Sequence, residues 1–231
     1  MTANGFTFYR GPSLLDGSPI RLVGTCFVNP SHNIKTGDMA QFYTLPDDQP
    51  PTSKEARSGA CGPCPIIKMC YLKWHHAPLT VWNTHYPDYD PTQHRQFLRL
   101  KPHRYGAAGD PAGVPAPVWR SIRKEAKRGH TGYTQYWRRG QFWRLRSWLM
   151  ASCNTLEEVR RAEDKGWSAY FATPEPVKGV KLCPYEASEG SIRCAYCTLC
   201  DGKSGSIQIS QHGGSHAMQA WQKFNRETAT A

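Results

Sequence analysis

No run of apolar residues in this 231-residue chain approaches the ~20 that a membrane-crossing helix needs. The opening stretch, MTANGFTFYRGPS, lacks the basic and apolar regions of a secretory leader. Both absences point to a cytoplasmic protein with no membrane partner. The glycine-rich dinucleotide fingerprint, the phosphate-cradling loop and the Gly-x-Ser-x-Gly elbow are also missing. That removes the sequence grounds for a Rossmann enzyme, a P-loop NTPase or an α/β-hydrolase. No internal repeat is present.

Acids are scarce in one block. From Arg95 to Arg146 there are 13 Lys/Arg against two acids, Asp110 and Glu125. That segment accounts for the whole +11 of the chain, and the rest is balanced at 16 basic and 16 acidic residues. Eight aromatics are interleaved with these cations: Phe97, Tyr105, Trp119, Tyr133, Tyr136, Trp137, Phe142 and Trp143. Cations attract phosphates, and aromatic faces stack on bases. The block therefore predicts a nucleic-acid partner, DNA in preference to RNA, met by Arg104, Arg120, Arg123, Lys124, Lys127, Arg138 and Arg139. The plainer alternative is a solvated basic surface around a Trp-rich core.

Cysteine is what the chain has in quantity: nine residues, seven of them clustered. In a reducing compartment close cysteine spacing reads as metal binding rather than as disulfides. The late set is Cys183 with Cys194-x2-Cys197-x2-Cys200, and His212 or His216 could replace one ligand. Four such groups suit tetrahedral zinc, and the same spacing also suits an iron–sulfur cluster. The early set, Cys61-x2-Cys64-x5-Cys70, supplies three ligands. Its fourth could be His75, His76, Cys26, a substrate or water. Three thiolates with an open position are also how a reactive 4Fe–4S cluster is held. Zinc is the first expectation, the cluster the alternative. Cys26 and Cys153 read as buried small hydrophobes.

The hydrophobic pattern predicts strands near 20–28, 39–45, 102–111, 130–137, 146–152, 167–174 and 205–214. Helices follow near 116–129, 155–165 and 215–224, with 91–100 and 138–146 as further helical candidates. Residues 1–19 read as an irregular arm. Thr155-x-x-Glu158 is a capping box, and Gly166 stops the helix. Alternating strands and helices make the fold α/β. Asp110, Tyr133, Thr134, Ser152, Thr173 and His212 all fall just after strands, where parallel α/β folds carry their sites. The expectation is a compact, TIM-barrel-like fold with Cys-rich metal-binding insertions. Residues 1–29 form the arm and first strand, 30–217 a single catalytic-type domain with clusters at 61–70 and 183–200, and 218–231 a C-terminal helix and tail.

Several segments together carry a resemblance. HNIKTGDMAQFYTLP (32–46) is followed by CGPCPIIKMCY, HRYGAAGDP, TGYTQYW and LMASCNT. CPYEASEGSIRCAYCTLC and ISQHGG close the series. The chain resembles, over about residues 30–217, the uncharacterised phage gene-product-eighty-eight-like family. The late cysteine group is also distantly similar to the tRNA-guanine and DNA 7-deazaguanine transglycosylase superfamily, though its spacing differs. The first resemblance implies a phage protein working in the host cytoplasm. The second implies a barrel with structural zinc that exchanges guanine for a 7-deazaguanine base in DNA. In that reading Asp110 is the catalytic nucleophile, kept ionised by nearby cations. Tyr133 and Ser152 hydrogen-bond the base edge, and Asp38, Asp88 or Asp90 supplies a second carboxylate. Two alternatives stand beside it: an iron–sulfur redox or radical enzyme centred on Cys61, Cys64 and Cys70, and a non-enzymatic zinc module that binds nucleic acid or a host protein.

Overall fold

The computed structural model describes residues 4–70 and 72–229. Its strands are β1 (Gly5–Pro12), β2 (Pro19–Thr25), β3 (Ala40–Pro46), β4 (His103–Ala108), β5 (His130–Thr134), β6 (Met150–Cys153), β7 (Ala169–Thr173), β8 (Lys181–Leu182) and β9 (Ile207–Ser210). The helices are α1 (Ser58–Cys61), α2 (Ala77–Asn83), α3 (Pro91–His94), α4 (Ala116–Glu125), α5 (Leu156–Asp164), α6 (Pro184–Ala187), α7 (Cys194–Cys197) and α8 (Ser215–Ala229). One nine-stranded sheet runs β1-β2-β3-β4-β5-β6-β7-β9-β8. β1, β2 and β3 pair antiparallel, and every later pair is parallel.

The sheet is open, not closed into a barrel. β1 lies at one end of the order and the two-residue β8 at the other. Closure needs the two edges to pair, and an antiparallel β1–β2 hairpin occupies the side where a barrel would begin. The expected irregular arm is in fact part of this hairpin. Phe6 of β1 and Ile20 and Leu22 of β2 are fully buried in the main core. A sequence of GFTFYRGP hides its strand because two glycines and a proline flank only five residues, Phe6 to Arg10.

The order is barrel-like even so. From β3 to β9 the strands follow one another in a single direction, and right-handed crossovers then put their connections on one face. α4 and α5 bear this out. Trp119 of α4 stands 4.9 Å from Tyr105 of β4 and 6.0 Å from Phe42 of β3, ring to ring. Val159 and Ala162 of α5 join the same core as Ala151, Cys153, Ala169 and Phe171. Side chains of alternate strand positions form the other face. Val23, Tyr43, Leu45 and Ala108 cluster there under Trp74 and Val81, while Met150, Ile207 and Ile209 cluster with Cys183 and Cys200.

His103 is fully buried on the helix face, its Nε2 2.9 Å from the Leu98 carbonyl and its Nδ1 3.3 Å from the Tyr105 hydroxyl. Burial pushes its pKa down to about 3. The folded state therefore binds this proton less readily than the unfolded chain does. Stability from His103 is complete above the unfolded pKa and is lost as pH falls below it. Urea unfolding at pH 7 and pH 5 should show a drop of about 2 kcal/mol from this group, at 1.36 kcal/mol per unit. His103→Gln should flatten that dependence; an unchanged slope would assign the acid sensitivity elsewhere.

Candidate active site

β4 does not run straight to its end. Phe42 pairs with Tyr105, but the next residue, Tyr43, pairs with Ala108. The two extra residues, Gly106 and Ala107, form a bulge, a feature that re-aims strand ends beside sites. Gly106 has φ +72°. Gly109, also at φ +72°, passes so close to β3 that an added Cβ would lie 2.2 Å from the Thr44 carbonyl oxygen. Glycine is required there, and it delivers Asp110 to the C-terminal edge of the sheet.

Asp110 is buried. Its Oδ1 accepts from the Thr134 hydroxyl at 2.8 Å and the Ala112 N–H at 2.9 Å, and its Oδ2 accepts from the Gln135 N–H at 2.8 Å. Burial pushes its pKa up to about 6, and these three hydrogen bonds are what oppose the rise. The expectation that cations hold it ionised is thus corrected: the carboxylate is desolvated and held by neutral donors. It joins the end of β4 to the end of β5. Asp110→Asn keeps the shape but turns an amide donor toward one of these donors. A loss of about 1–3 kcal/mol is expected for the unsatisfied group, read by urea unfolding. Wild-type stability would show that Asp110 does not hold the strand ends together.

A cavity of about 400 Å³ opens over this edge. Its lining brings together residues remote in sequence: Cys61, Cys64 and Cys70, Asp110, Tyr133, Ser152 and His212. The long β3–β4 connection supplies one wall. Cys61 and Cys64 there are both pushed up by burial, Cys64 to about 11, and the Asp110 charge adds to the rise in each. Met69 and Trp74 give that wall an apolar surface. Ser152 accepts from the Gln135 side-chain amide at 2.7 Å, which leaves its hydroxyl hydrogen available to a ligand. Gln135 was not foreseen; its signal is position alone, one residue after β5. His75 and His76 are exposed and do not line the cavity, nor does Cys26. Asp38 pairs with Lys101 at 2.7 Å and Asp90 caps α3, so neither of these is the second carboxylate beside Asp110.

The late cysteines line an adjoining, much smaller space, and Cys194 lines both. Cys183, Cys194, Cys197 and Cys200 all line one void of about 20 Å³. Cys200 is pushed up to about 12 by burial, with Cys194, Cys183 and Cys197 adding to the rise and a Tyr133 hydrogen bond opposing it. Tyr133 is therefore tied to this group, its ring 4.3 Å from Tyr170. His212 is not: its ring meets the Ser210 carbonyl at 3.0 Å and faces the larger cavity. Among the described residues, no three His, Cys, Asp or Glu side chains are already arranged to hold a metal ion. The four thiols surround one space, and ligation would require them to turn inward.

The basic block divides. Tyr105, Trp119, Tyr136, Trp137 and Phe142 are buried in the core and have no face to offer a base. Arg123 stacks on Trp148 at 4.9 Å. Arg138 pairs with Glu158 at 2.5 Å and lies over Trp137, and Arg139 lies over Tyr136. Arg120 and Lys124 on α4 and Lys127 just beyond its end are exposed, and α4 covers the sheet face opposite the cavity. Trp143, half exposed between Arg144 and Arg146, is the exposed aromatic of the block. Arg104 alone of the seven expected contacts lines the cavity. No helix among the described residues is long and apolar enough to cross a membrane. Comparison with family models, curated proteins and solved structures found no match for the chain.

Proposed function

We propose that the chain is an iron–sulfur enzyme acting on a small molecule, with Cys61, Cys64 and Cys70 holding a 4Fe–4S cluster through three of its irons. The carrying observation is that these three thiols share one 400 Å³ cavity with Asp110 and Ser152 at the C-terminal ends of parallel strands. Its volume suits a small ligand rather than a polymer. The fourth iron would face that cavity, since the candidate protein ligands near it in sequence, His75 and His76, point elsewhere. When bound, the cluster would supply one-electron chemistry beside the substrate. Asp110 and Gln135 would fix the strand ends, and Ser152 would orient the ligand.

Space separates the roles of the two cysteine sets. The space of about 20 Å³ that the late thiols line is the size a single ion would fill. We assign zinc to Cys183, Cys194, Cys197 and Cys200 as a structural staple. Anaerobic reconstitution with ferrous iron and sulfide tests the assignment. The protein should turn brown and retain one zinc; a colourless protein with zinc in both sets would favour the non-enzymatic module.

Guanine exchange in DNA is the weaker reading. Its nucleophile is engaged by three hydrogen bonds, and the exposed α4 cations lie across the sheet from it. The Trp143 patch and the outer face of α4 are the surfaces through which a nucleic acid would be met. Binding there should weaken steeply with salt, and reversing Arg120, Lys124 and Lys127 to Glu should abolish it. Salt-insensitive binding, or none, would leave this face as a solvated surface.

A further inference from the structure

The last helix closes part of the large cavity without belonging to the core that supports it. Among the described residues of α8, Trp221 is the one that lines the cavity, and it is 4% exposed. Ala217, one turn earlier, is also buried, while most of the helix faces solvent. No described residue of α8 belongs to any of the three hydrophobic clusters of the fold. A segment with few apolar contacts to the core opens more readily than the core itself.

The attachment of α8 suits a moving part. β9 ends at Ser210, and His212 lines the cavity. Gly213 and Gly214 follow, both exposed, and α8 begins at Ser215. Gly213 has φ +144°, a conformation open to glycine and strained for other residues. A Cβ added at Gly214 would meet nothing within 4 Å, so packing does not fix this residue. Two such positions in a row can absorb the dihedral change of a hinge. Beyond them the helix is latched by a reciprocal amide pair. Asn225 Nδ2 donates to Gln211 Oε1 at 2.8 Å, and Gln211 Nε2 donates to Asn225 Oδ1 at 3.1 Å. Gln211 lies on the sheet side of the glycines, where its backbone N–H donates to the Thr173 carbonyl at 3.0 Å. The latch therefore spans the hinge. Water can replace bonds of this kind at small net free energy, so they hold the helix down without locking it.

We propose that α8 is a lid, hinged at Gly213 and Gly214 and latched by Gln211 and Asn225, that opens to admit a ligand and closes Trp221 over it. Closure sets an apolar ring against the ligand and keeps water from the strand ends that carry Asp110 and Ser152. The lid rests on the reading of this cavity as the working site, and not on the group that the early thiols hold. It is therefore tested on protein without iron.

The rate at which a bulky maleimide labels Cys61 and Cys64, read by peptide mass spectrometry, decides the matter. Both thiols line the cavity and are partly buried, whereas Cys26 lies outside it and serves as the reference. Asn225→Ala removes the latch and should speed labelling of Cys61 and Cys64 about tenfold, the effect of losing two hydrogen bonds. Gly214→Ala restricts the hinge at a position with room for a methyl group, and should slow labelling about two- to fivefold. Labelling of Cys26 and the circular dichroism should stay as in the wild type. Rates at Cys61 and Cys64 that do not move in opposite directions in the two variants, or that rise together with Cys26, would overturn the lid. A protein that takes up no iron yet shows these opposite shifts would lose the cluster and keep the lid.

Discussion

Replacing Cys64 with Ser is expected to abolish the visible charge-transfer absorption of the reconstituted protein while leaving its zinc and its folding intact. The asymmetry follows from where Cys64 lies. It belongs to the irregular β3–β4 connection, at the wall of the cavity, and its thiol is only partly buried in the protein without metal. The core under α4 and α5 does not include it. A cluster reduced to two thiolates loses the anchoring that holds iron and sulfide against exchange. Iron and sulfide analysis, absorption and circular dichroism of wild type and variant are the measurements. Equal iron in both would remove Cys64 from the ligand set.

Cys197→Ser should behave in the opposite way, losing one zinc and much of the stability. The loop around the late thiols fastens several parts of the fold at once. The Cys194 N–H donates to the Lys35 carbonyl at 3.1 Å, the Ala195 N–H to that of Thr36 at 2.9 Å, and the Gly132 N–H of β5 to the Cys200 carbonyl at 3.0 Å. Gly202 packs so tightly on the chain before β6 that an added Cβ would lie 2.7 Å from the Leu149 nitrogen. Metal binding at such a site is also folding free energy. A loss of about 3–5 kcal/mol, the range of large single-site effects, is expected by denaturant unfolding. Burial pushes the Cys194 and Cys200 thiols up, and a metal-bound thiol must lose its proton, so zinc affinity should also fall with decreasing pH. A variant with wild-type stability and unchanged zinc would contradict the staple.

Much of the fold was legible where local chemistry and periodicity agree. Thr155 caps α5 as the capping box requires, accepting from the Glu158 N–H at 3.2 Å. Glu158 reaches back to the Asn154 N–H at 2.8 Å, one residue earlier than the motif implies. The strands β3 to β7 and β9, and the crowding of polar groups after them, were equally readable, whereas the two-residue β8 was not. β1 was not, because its burial depends on β2 and on Phe27, Tyr89 and His94, partners remote in sequence. Barrel closure could not be read either, since a monotonic strand order is shared by closed barrels and open sheets. At the site, cysteine spacing announced both thiol groups, yet only the fold separates them by the size of the space each surrounds. The basic block misled for a related reason. Alternation of cations and aromatics looks the same whether the rings face solvent or the core, and here Trp119 and Trp137 face the core.

The central claim is a cluster whose open iron faces the large cavity. Electron paramagnetic resonance of the anaerobically reconstituted, reduced protein, with and without cyanide, tests it most directly. The account predicts about four irons per chain and a cluster signal that shifts when cyanide occupies the iron lacking a protein ligand. A signal indifferent to cyanide, or a protein that takes up zinc and no iron, would contradict it.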